Sequence, residues 1–214
     1  MLKQLLASLF GKRPRLEHYY EGIQGWCRYM PLYARMVEIA PHDAPAVFVE
    51  LGCWKGRSTA YLGVEIANSG KPITLCAIDW FKGSDEPEHR DDPEVAQLYD
   101  VFLRNTRPVS AALGPRFSVL KEATAAAAGR FADESVDFVM VDAGHSAEDV
   151  CADIRAWWPK LRRGGIMAGD DWEWPSVQAG VGAAFASIAG QPRARIENAE
   201  DYPWWVVQKA DLQA

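Results

Sequence analysis

Several features that mark common classes of protein are missing from this 214-residue sequence. Its four cysteines form neither a C-x-x-C pair nor a zinc-ligand spacing, so we expect free thiols in a reducing, cytoplasmic compartment. Near the N-terminus, the apolar stretch Leu5–Phe10 is interrupted by Ser8 and lacks a small-residue cleavage site. It is too short to span a membrane, and we predict a short amphipathic helix there instead.

An excess of positive charge is also absent. The formal net charge is −6, which argues against a nucleic-acid partner or an anionic membrane bound through bulk electrostatics. The hydrophobic fraction of 49% and the charged fraction of 24% are ordinary for a globular protein. A chain of this length suits one α/β domain, so we predict a single domain over residues 1–214. The oligomeric state is not predicted, and a homo-oligomer stays open.

Predicted strands and helices alternate along the chain. Strands are predicted at 46–51, 73–78, 117–120, 136–141 and 166–168, and a closing antiparallel pair is predicted at 193–198 and 204–208. Helices are predicted at 58–68, 94–104, 125–128, 146–158 and 177–188, the fourth with Ser146 as its N-cap. This alternation predicts a mostly parallel, doubly wound sheet with helices on both faces.

Two segments depart from this alternation. Residues 1–45 precede the first strand, and their aromatic stretch 19–40 is predicted as a helical cap over the ligand edge of the sheet. Residues 82–107 follow the second strand and begin with the acidic, polar run 82–93. Loops of that length are often lids or disordered, so a lid or substrate-binding insertion is predicted there.

Four polar residues follow two of the predicted strands. The strand FVMV ends at Asp142, with His145 three residues later, and the strand IMAG ends at Asp170 and Asp171. Carboxyl ends of parallel strands meet at one edge of the sheet, where ligands bind. Carboxylates held close together repel one another and commonly share a cation, and oxygen ligands suit Mg²⁺, Mn²⁺ or Ca²⁺ rather than zinc. The alternatives without a catalytic role are an exposed histidine that merely precedes a helix, and acids that only cap the end of a strand.

A glycine-containing turn joins the first strand to its helix. Gly52 and Gly56 would let a ligand approach the backbone, although such turns often use glycine for steric reasons alone. The spacing is not G-x-G-x-x-G, which disfavours a dinucleotide. Glu50, just before the turn, would favour a cationic ligand. Asp79 ends the second strand, where it could accept hydrogen bonds from ribose hydroxyls or act as a cap.

The ordered segments VFVELGCWKGRST, LCAIDW, VDFVMVDAGHSAEDVCADI and LRRGGIMAGDDW resemble class I S-adenosylmethionine-dependent methyltransferases. More narrowly, they resemble the magnesium-dependent small-molecule O-methyltransferases that act on sugars and, more distantly, on catechols. The resemblance covers roughly residues 46–172. It implies a Rossmann-like fold with a seven-stranded sheet and an antiparallel C-terminal strand.

The same resemblance implies a role for each residue that matches a family motif. Asp142, Asp170 and Asp171 correspond to the metal ligands, and His145 corresponds to the general base. The positions that correspond to cofactor-binding residues are Glu50, Gly52, Gly56, Ser58, Asp79, Trp80, Ala123, Thr124 and Asp142. The implied activity is methyl transfer from S-adenosylmethionine to a hydroxyl of a small molecule, with bound Mg²⁺ or Mn²⁺. The alternative is a non-methylating, hydroxylase-like enzyme or a cofactor-binding module on the same fold.

Overall fold

The structure is a computed structural model that describes residues 15–84, 86–199 and 202–210. The amphipathic helix predicted around Leu5–Phe10 lies outside the described residues. In the ranges that are described, no helix is both long enough and apolar enough to cross a membrane. All four cysteines are free thiols, as the sequence predicts.

Seven strands form one sheet in the order β3-β2-β1-β4-β5-β7-β6. Their bounds are β1 Ala46–Leu51, β2 Ile73–Asp79, β3 Phe117–Lys121, β4 Val136–Val141, β5 Leu161–Gly169, β6 Arg195–Ala199 and β7 Tyr202–Gln208. The first five strands pair in parallel, whereas β7 pairs antiparallel with both β5 and β6. The predicted fold class, with its antiparallel C-terminal strand, is therefore confirmed.

Helices cover both faces of this sheet. Their bounds are α1 Met30–Ile39, α2 Arg57–Ser69, α3 Pro87–Arg90, α4 Leu98–Asn105, α5 Arg107–Leu113, α6 Thr124–Ala127, α7 Ala147–Trp157 and α8 Pro175–Ala186. Buried side chains of α1, α2 and α5 form one apolar core against the sheet. Those of α6, α7 and α8 form a second core on the other face. Each face of the central strands is buried, which explains why their sequences read as continuous apolar runs.

One helix begins at its predicted N-cap, and two other predicted helices differ from the structure. The hydroxyl of Ser146 accepts the backbone N–H of Asp149 and so caps α7 as predicted. The predicted helix at 19–40 is instead a short 3-10 turn, Tyr20–Gly22, followed by an irregular stretch and α1. Gly25 prevents a continuous helix there, because its φ of +138° is not a helical conformation. The predicted helix at 94–104 begins as a 3-10 turn and becomes α4.

The sheet reverses its winding direction between β1 and β4. The chain runs outward from β1 to β2 and β3, then returns to place β4 on the other side of β1. The carboxyl ends of β1 and β4 therefore lie side by side, and the N–H of Asp142 donates to the carbonyl of Leu51 at 2.8 Å. In open α/β sheets this switch point is where ligands bind.

Candidate active site

A cavity of about 620 Å³ opens at the switch point. Residues that follow each of the five strands β1 to β5 border it, together with the loop that precedes α1 and the segment that contains α3. The predicted site residues that border the cavity are Gly52, Ser58, Asp79, Trp80, Ala123, Thr124, Asp142, His145, Asp170 and Asp171. The chain thus brings together residues from distant parts of the sequence because parallel strands all end at one edge.

Two predicted cofactor residues, Glu50 and Gly56, do not border the cavity. Glu50 is fully buried and accepts hydrogen bonds from the hydroxyls of Tyr33 and Thr59. Burial raises the pKa of Glu50 above its ordinary value, and these hydrogen bonds offset part of the rise. A Cβ on Gly56 would lie 2.8 Å from the methyl carbon of Thr106. In this structure both residues lie behind the turn, and the cofactor contacts that the resemblance implies for them stay a prediction.

Gly52 permits the close approach of the turn to the loop after β4. Its φ is +82°, and a Cβ there would lie only 1.9 Å from the carbonyl oxygen of Asp142. Side chains larger than hydrogen are excluded by both the dihedral angle and the contact. This glycine is required sterically, and it also borders the cavity.

Asp79 fixes the same turn from the side of β2. Its carboxylate accepts backbone N–H groups from Cys53 at 2.8 Å, Trp54 at 3.0 Å and Phe81 at 2.6 Å. Burial raises the pKa of Asp79 above its ordinary value, and these hydrogen bonds offset part of the rise. Asp79 therefore caps the turn, which is one of its two predicted roles, and its side chain also borders the cavity. Trp80 follows it with half of its side chain exposed, and its indole N–H donates to the carbonyl of Gly83.

Three side chains converge on the cavity wall. Ligand atoms of Asp142, His145 and Asp171 all lie within 4.8 Å of one another. Asp142 also accepts the hydroxyl of Tyr29 at 2.6 Å. Burial and the charge of Asp171 together raise the pKa of Asp142 to about 7. Burial is the larger of the two causes, and the neighbouring carboxylate adds to it.

Asp170 borders the cavity beside this cluster without joining the converging set. It is buried, and among the described residues its Oδ1 has no hydrogen-bond partner. Burial, together with the charges of Asp142 and Asp171, raises the pKa of Asp170 to about 9. An unpartnered buried carboxylate oxygen is costly and calls for a cation or a proton. Oxygen ligands with one imidazole nearby suit Mg²⁺ or Mn²⁺, so the donor set fits a divalent cation.

His145 lies between two carboxylates. Its Nδ1 is 2.5 Å from Oε1 of Glu86, and its Nε2 is 2.9 Å from Oδ2 of Asp171. Burial lowers the pKa of His145, but the hydrogen bonds and charges of Asp171, Asp142 and Glu86 outweigh this effect and raise it to about 10. A carboxylate oxygen facing each ring nitrogen favours the protonated imidazole, in which both nitrogens donate. The ring gains a free lone pair only when it loses one of these protons.

Sequence reasoning missed Tyr29, Glu86 and His89 as site residues. Tyr29 and Glu86 hold Asp142 and His145 from segments distant in sequence, and no spacing pattern links these pairs. His89 stacks on the ring of Trp54 with centroids 3.9 Å apart, and its side chain borders the cavity. The acidic composition of residues 82–93 was the single hint that this segment contributes to the site.

The fold is that of a doubly wound α/β enzyme, with a cavity at the switch point of its sheet. A protein family described as "Methyltransferase domain" matches residues 49–172. Because the match covers more than half of the chain, the chain belongs to this family, and it is an S-adenosylmethionine-dependent methyltransferase, as the resemblance implies. A comparison with curated protein sequences finds no significant match.

Solved structures share this fold at low sequence identity. A protein from Corynebacterium glutamicum is 18% identical with a TM-score of 0.60, over 99% of this chain and 98% of that one. The O-methyltransferase NovP is 17% identical with a TM-score of 0.60, over 86% and 80%. A TDP-rhamnose 3'-O-methyltransferase of calicheamicin biosynthesis is 18% identical with a TM-score of 0.53, over 85% and 77%. At these identities the likeness establishes the fold.

Proposed function

We propose that the chain transfers a methyl group from S-adenosylmethionine to a hydroxyl of a small molecule, a sugar or a catechol-like diol, with a bound divalent cation. The observation that carries this proposal is the convergence of Asp142, Asp171 and His145 on the wall of the switch-point cavity. These two carboxylates and the imidazole border the same cavity as Gly52, which supports a cation site and a cofactor site side by side.

The cavity fits the proposed cofactor in size and in charge. Its volume of about 620 Å³ lies within the range of small-molecule sites. Gly52, Ser58 and Asp79 would hold the cofactor at the turn, with Trp80 and Thr124 further along the wall. Acidic side chains along the wall favour a positively charged ligand over an anionic dinucleotide. When bound, the sulfonium of S-adenosylmethionine supplies the electrophilic methyl group.

The acids fit the proposed cation. Asp142 and Asp171 would hold it together with Asp170, whose buried Oδ1 lacks a partner among the described residues. A cation bound there supplies Lewis acidity and an anchor for two adjacent substrate oxygens. Burial first, and repulsion between neighbouring carboxylates second, raise the pKa values of Asp142 and Asp170. A bound cation would offset both effects, which supports this assignment.

His145 and Glu86 carry the proposed proton transfer. Glu86 holds Nδ1 and so fixes the orientation of the imidazole ring. With Asp171 bound to a cation, its carboxylate would no longer stabilise a protonated imidazole, and His145 would release the Nε2 proton to solvent. The neutral ring, with its Nδ1–H held by Glu86, could then accept the proton of the substrate hydroxyl at Nε2. General-base help of this kind contributes about 10²–10⁴-fold. Hydroxyl methylation is also the activity named for NovP and for the TDP-rhamnose enzyme, which supports an oxygen acceptor here.

Binding measurements test the proposal without requiring the substrate. Calorimetry should show binding of S-adenosylmethionine and S-adenosylhomocysteine, and no binding of NAD. Mg²⁺ or Mn²⁺ should raise the melting temperature of the wild type and of Glu148→Gln, an exposed control on α7, but not of Asp142→Asn. Preferential NAD binding would overturn the cofactor assignment. Cofactor binding that yields no S-adenosylhomocysteine with any hydroxyl acceptor would favour the non-methylating alternative.

A further inference from the structure

Arginine side chains border the cavity at two positions in the described part of the chain, and they differ in their partners. Arg57 donates to the carbonyl of Ile23 at 2.9 Å and is held there. Arg28 makes neither a hydrogen bond nor an ion pair with a described residue. Its guanidinium carbon lies 4.3 Å from the ring centroid of Tyr202, which also borders the cavity.

Stacking on Tyr202 leaves the hydrogen-bonding edge of Arg28 available. A guanidinium is planar, so an aromatic ring can hold its face while its N–H groups remain free to bind a carboxylate or a phosphate in bidentate fashion. An exposed arginine ordinarily has little reason to be fixed in orientation. Here the ring fixes it, and the ordering cost of a ligand contact is correspondingly smaller.

Arg28 lies close to the acid cluster. Burial raises the pKa of Tyr202, and the charges of Asp170, Asp171 and Glu173 raise it further, so the ring beneath Arg28 lies within electrostatic reach of these acids. The next residue in the chain, Tyr29, donates its hydroxyl to Asp142. Arg28, Tyr202 and the acid cluster therefore border the same cavity.

The charges around the cavity distinguish the position of Arg28 as one that favours an anionic group. Nine acidic side chains border the cavity, and they repel an anionic group throughout most of its volume. Arg28 supplies a positive charge on this wall that, unlike that of Arg57, has no hydrogen-bond partner among the described residues. Trp26 and Trp174 also border the cavity, with 48% and 39% of their surfaces exposed, and offer flat walls for a ring.

We propose that Arg28 binds an anionic group, a carboxylate or a phosphate, on the acceptor molecule and thereby directs its hydroxyl end toward Asp142, Asp171 and His145. This inference rests on the proposed function, because it assigns the acceptor of that reaction. It defines the acceptor class as a ring that carries vicinal hydroxyls at one end and one acidic group at the other.

Matched pairs of probes test the subsite by calorimetry, with S-adenosylhomocysteine and Mg²⁺ present. One pair is 3,4-dihydroxybenzoate and its neutral amide, and the other is glucose 1-phosphate and glucose. The wild type should bind the anion of at least one pair about tenfold more tightly than the neutral partner. The pair that shows the preference identifies the group as a carboxylate or a phosphate.

Variants assign that preference to the arginine. Arg28→Gln should abolish it, and Arg28→Lys should keep part of it, since a lysine retains the charge without the bidentate geometry. Arg104→Gln removes an equal charge from an exposed position outside the cavity and should leave the preference unchanged. Equal binding of anionic and neutral probes by the wild type, or an unchanged preference in Arg28→Gln, would overturn the subsite, as would failure of both anions to bind.

These outcomes are separate from those of the proposed function. Methyl transfer to neutral and anionic acceptors with equal kcat/KM would leave the methyltransferase assignment standing and remove the subsite. Binding of an anion that depends on Arg28, without any methyl transfer, would support the subsite and overturn the proposed reaction.

Discussion

Glu86 and His145 meet across the cavity, with Oε1 of Glu86 2.5 Å from Nδ1 of His145. Glu86 belongs to the segment after β2, whereas His145 belongs to the loop after β4. The other ring nitrogen of His145 faces Asp171 at 2.9 Å. One imidazole thus joins the proposed lid to the acid cluster, so the position of the lid determines how the proposed base is held.

Replacing Glu86 should impair catalysis through His145. We expect Glu86→Gln to lower kcat by about 10–100-fold, the usual effect of removing the partner that orients an imidazole. His145→Ala should lower kcat by about 10²–10⁴-fold with little change in cofactor affinity. Steady-state kinetics of both variants with an accepted substrate measures these effects.

A double-mutant cycle separates this positioning role from a general effect on the lid. In a His145→Ala background, Glu86→Gln should have little further effect on kcat, because the residue through which it acts is already gone. Asp91→Asn, an exposed change in the same segment, should leave kcat near the wild-type value. Fully additive losses from Glu86→Gln and His145→Ala would contradict the coupling.

Asp170 should destabilise the cation-free protein as pH rises. Its folded pKa is raised to about 9, so the folded state holds the proton more tightly than the unfolded state does. The stability that this provides is fully present below the ordinary pKa of about 3.9 and is lost as pH rises toward 9. In chelator, Asp170→Asn should therefore melt at a higher temperature than the wild type above about pH 5, with a gap that widens toward pH 9.

Thermal unfolding across this pH range measures the effect of Asp170. Each kcal/mol corresponds to roughly 2–4 °C for a domain of this size. Glu148→Gln, which removes an exposed acid, should show no pH-dependent gap. A constant difference between Asp170→Asn and the wild type from acid to alkaline pH would show that charge repulsion at this carboxylate is not what the substitution relieves.

Gly52 should tolerate no side chain. Gly52→Ala places a Cβ 1.9 Å from the carbonyl oxygen of Asp142 at a φ of +82°, and the strained turn must shift. We expect a loss of more than about 2 kcal/mol in the free energy of unfolding, together with weaker cofactor binding. Gly182→Ala on α8 is the control, because its Cβ meets no atom within 4 Å and should be neutral or stabilising by up to about 1 kcal/mol. Urea unfolding of both variants compares them directly.

Removing the carboxylate of Asp79 should affect stability and cofactor binding together. Asp79→Ala leaves the N–H groups of Cys53, Trp54 and Phe81 without their acceptor, at a cost of about 1–3 kcal/mol for each group that stays unsatisfied. Asp79→Asn keeps one acceptor oxygen and should lose less. Chemical unfolding and calorimetry with S-adenosylhomocysteine report the two effects. Weakened cofactor binding at unchanged stability would favour a direct ribose contact as the main role of this residue.

The sheet and its edge could be predicted from sequence because strand patterns are local. Val136–Val141 was predicted at its observed bounds, and Ser146 caps α7 as expected. The antiparallel closing pair was also predicted correctly, within two residues. Strand ends, once located, indicate which acids share an edge of a parallel sheet, and Asp142 and Asp171 do converge there.

The partners of those residues could not be predicted, because they come from segments without periodicity. Tyr29 reaches Asp142 across 113 positions of sequence, and Glu86 reaches His145 across 59. Glu50 is a charged residue in a buried strand, and sequence alone does not reveal that Tyr33 and Thr59 satisfy it. The protonated state of His145 likewise depends on two carboxylates that the sequence does not bring together.

Cation-dependent methylation of a hydroxyl is the central claim, and mass spectrometry of the reaction products tests it most directly. The purified chain is incubated with S-adenosylmethionine, Mg²⁺ and a panel of diols, with Asp142→Asn and a chelator-treated sample in parallel. We expect S-adenosylhomocysteine and a singly O-methylated acceptor to form in equal amounts, and both to disappear in the chelator and in Asp142→Asn. Undiminished methylation in the chelator, or no S-adenosylhomocysteine under any condition, would contradict the account.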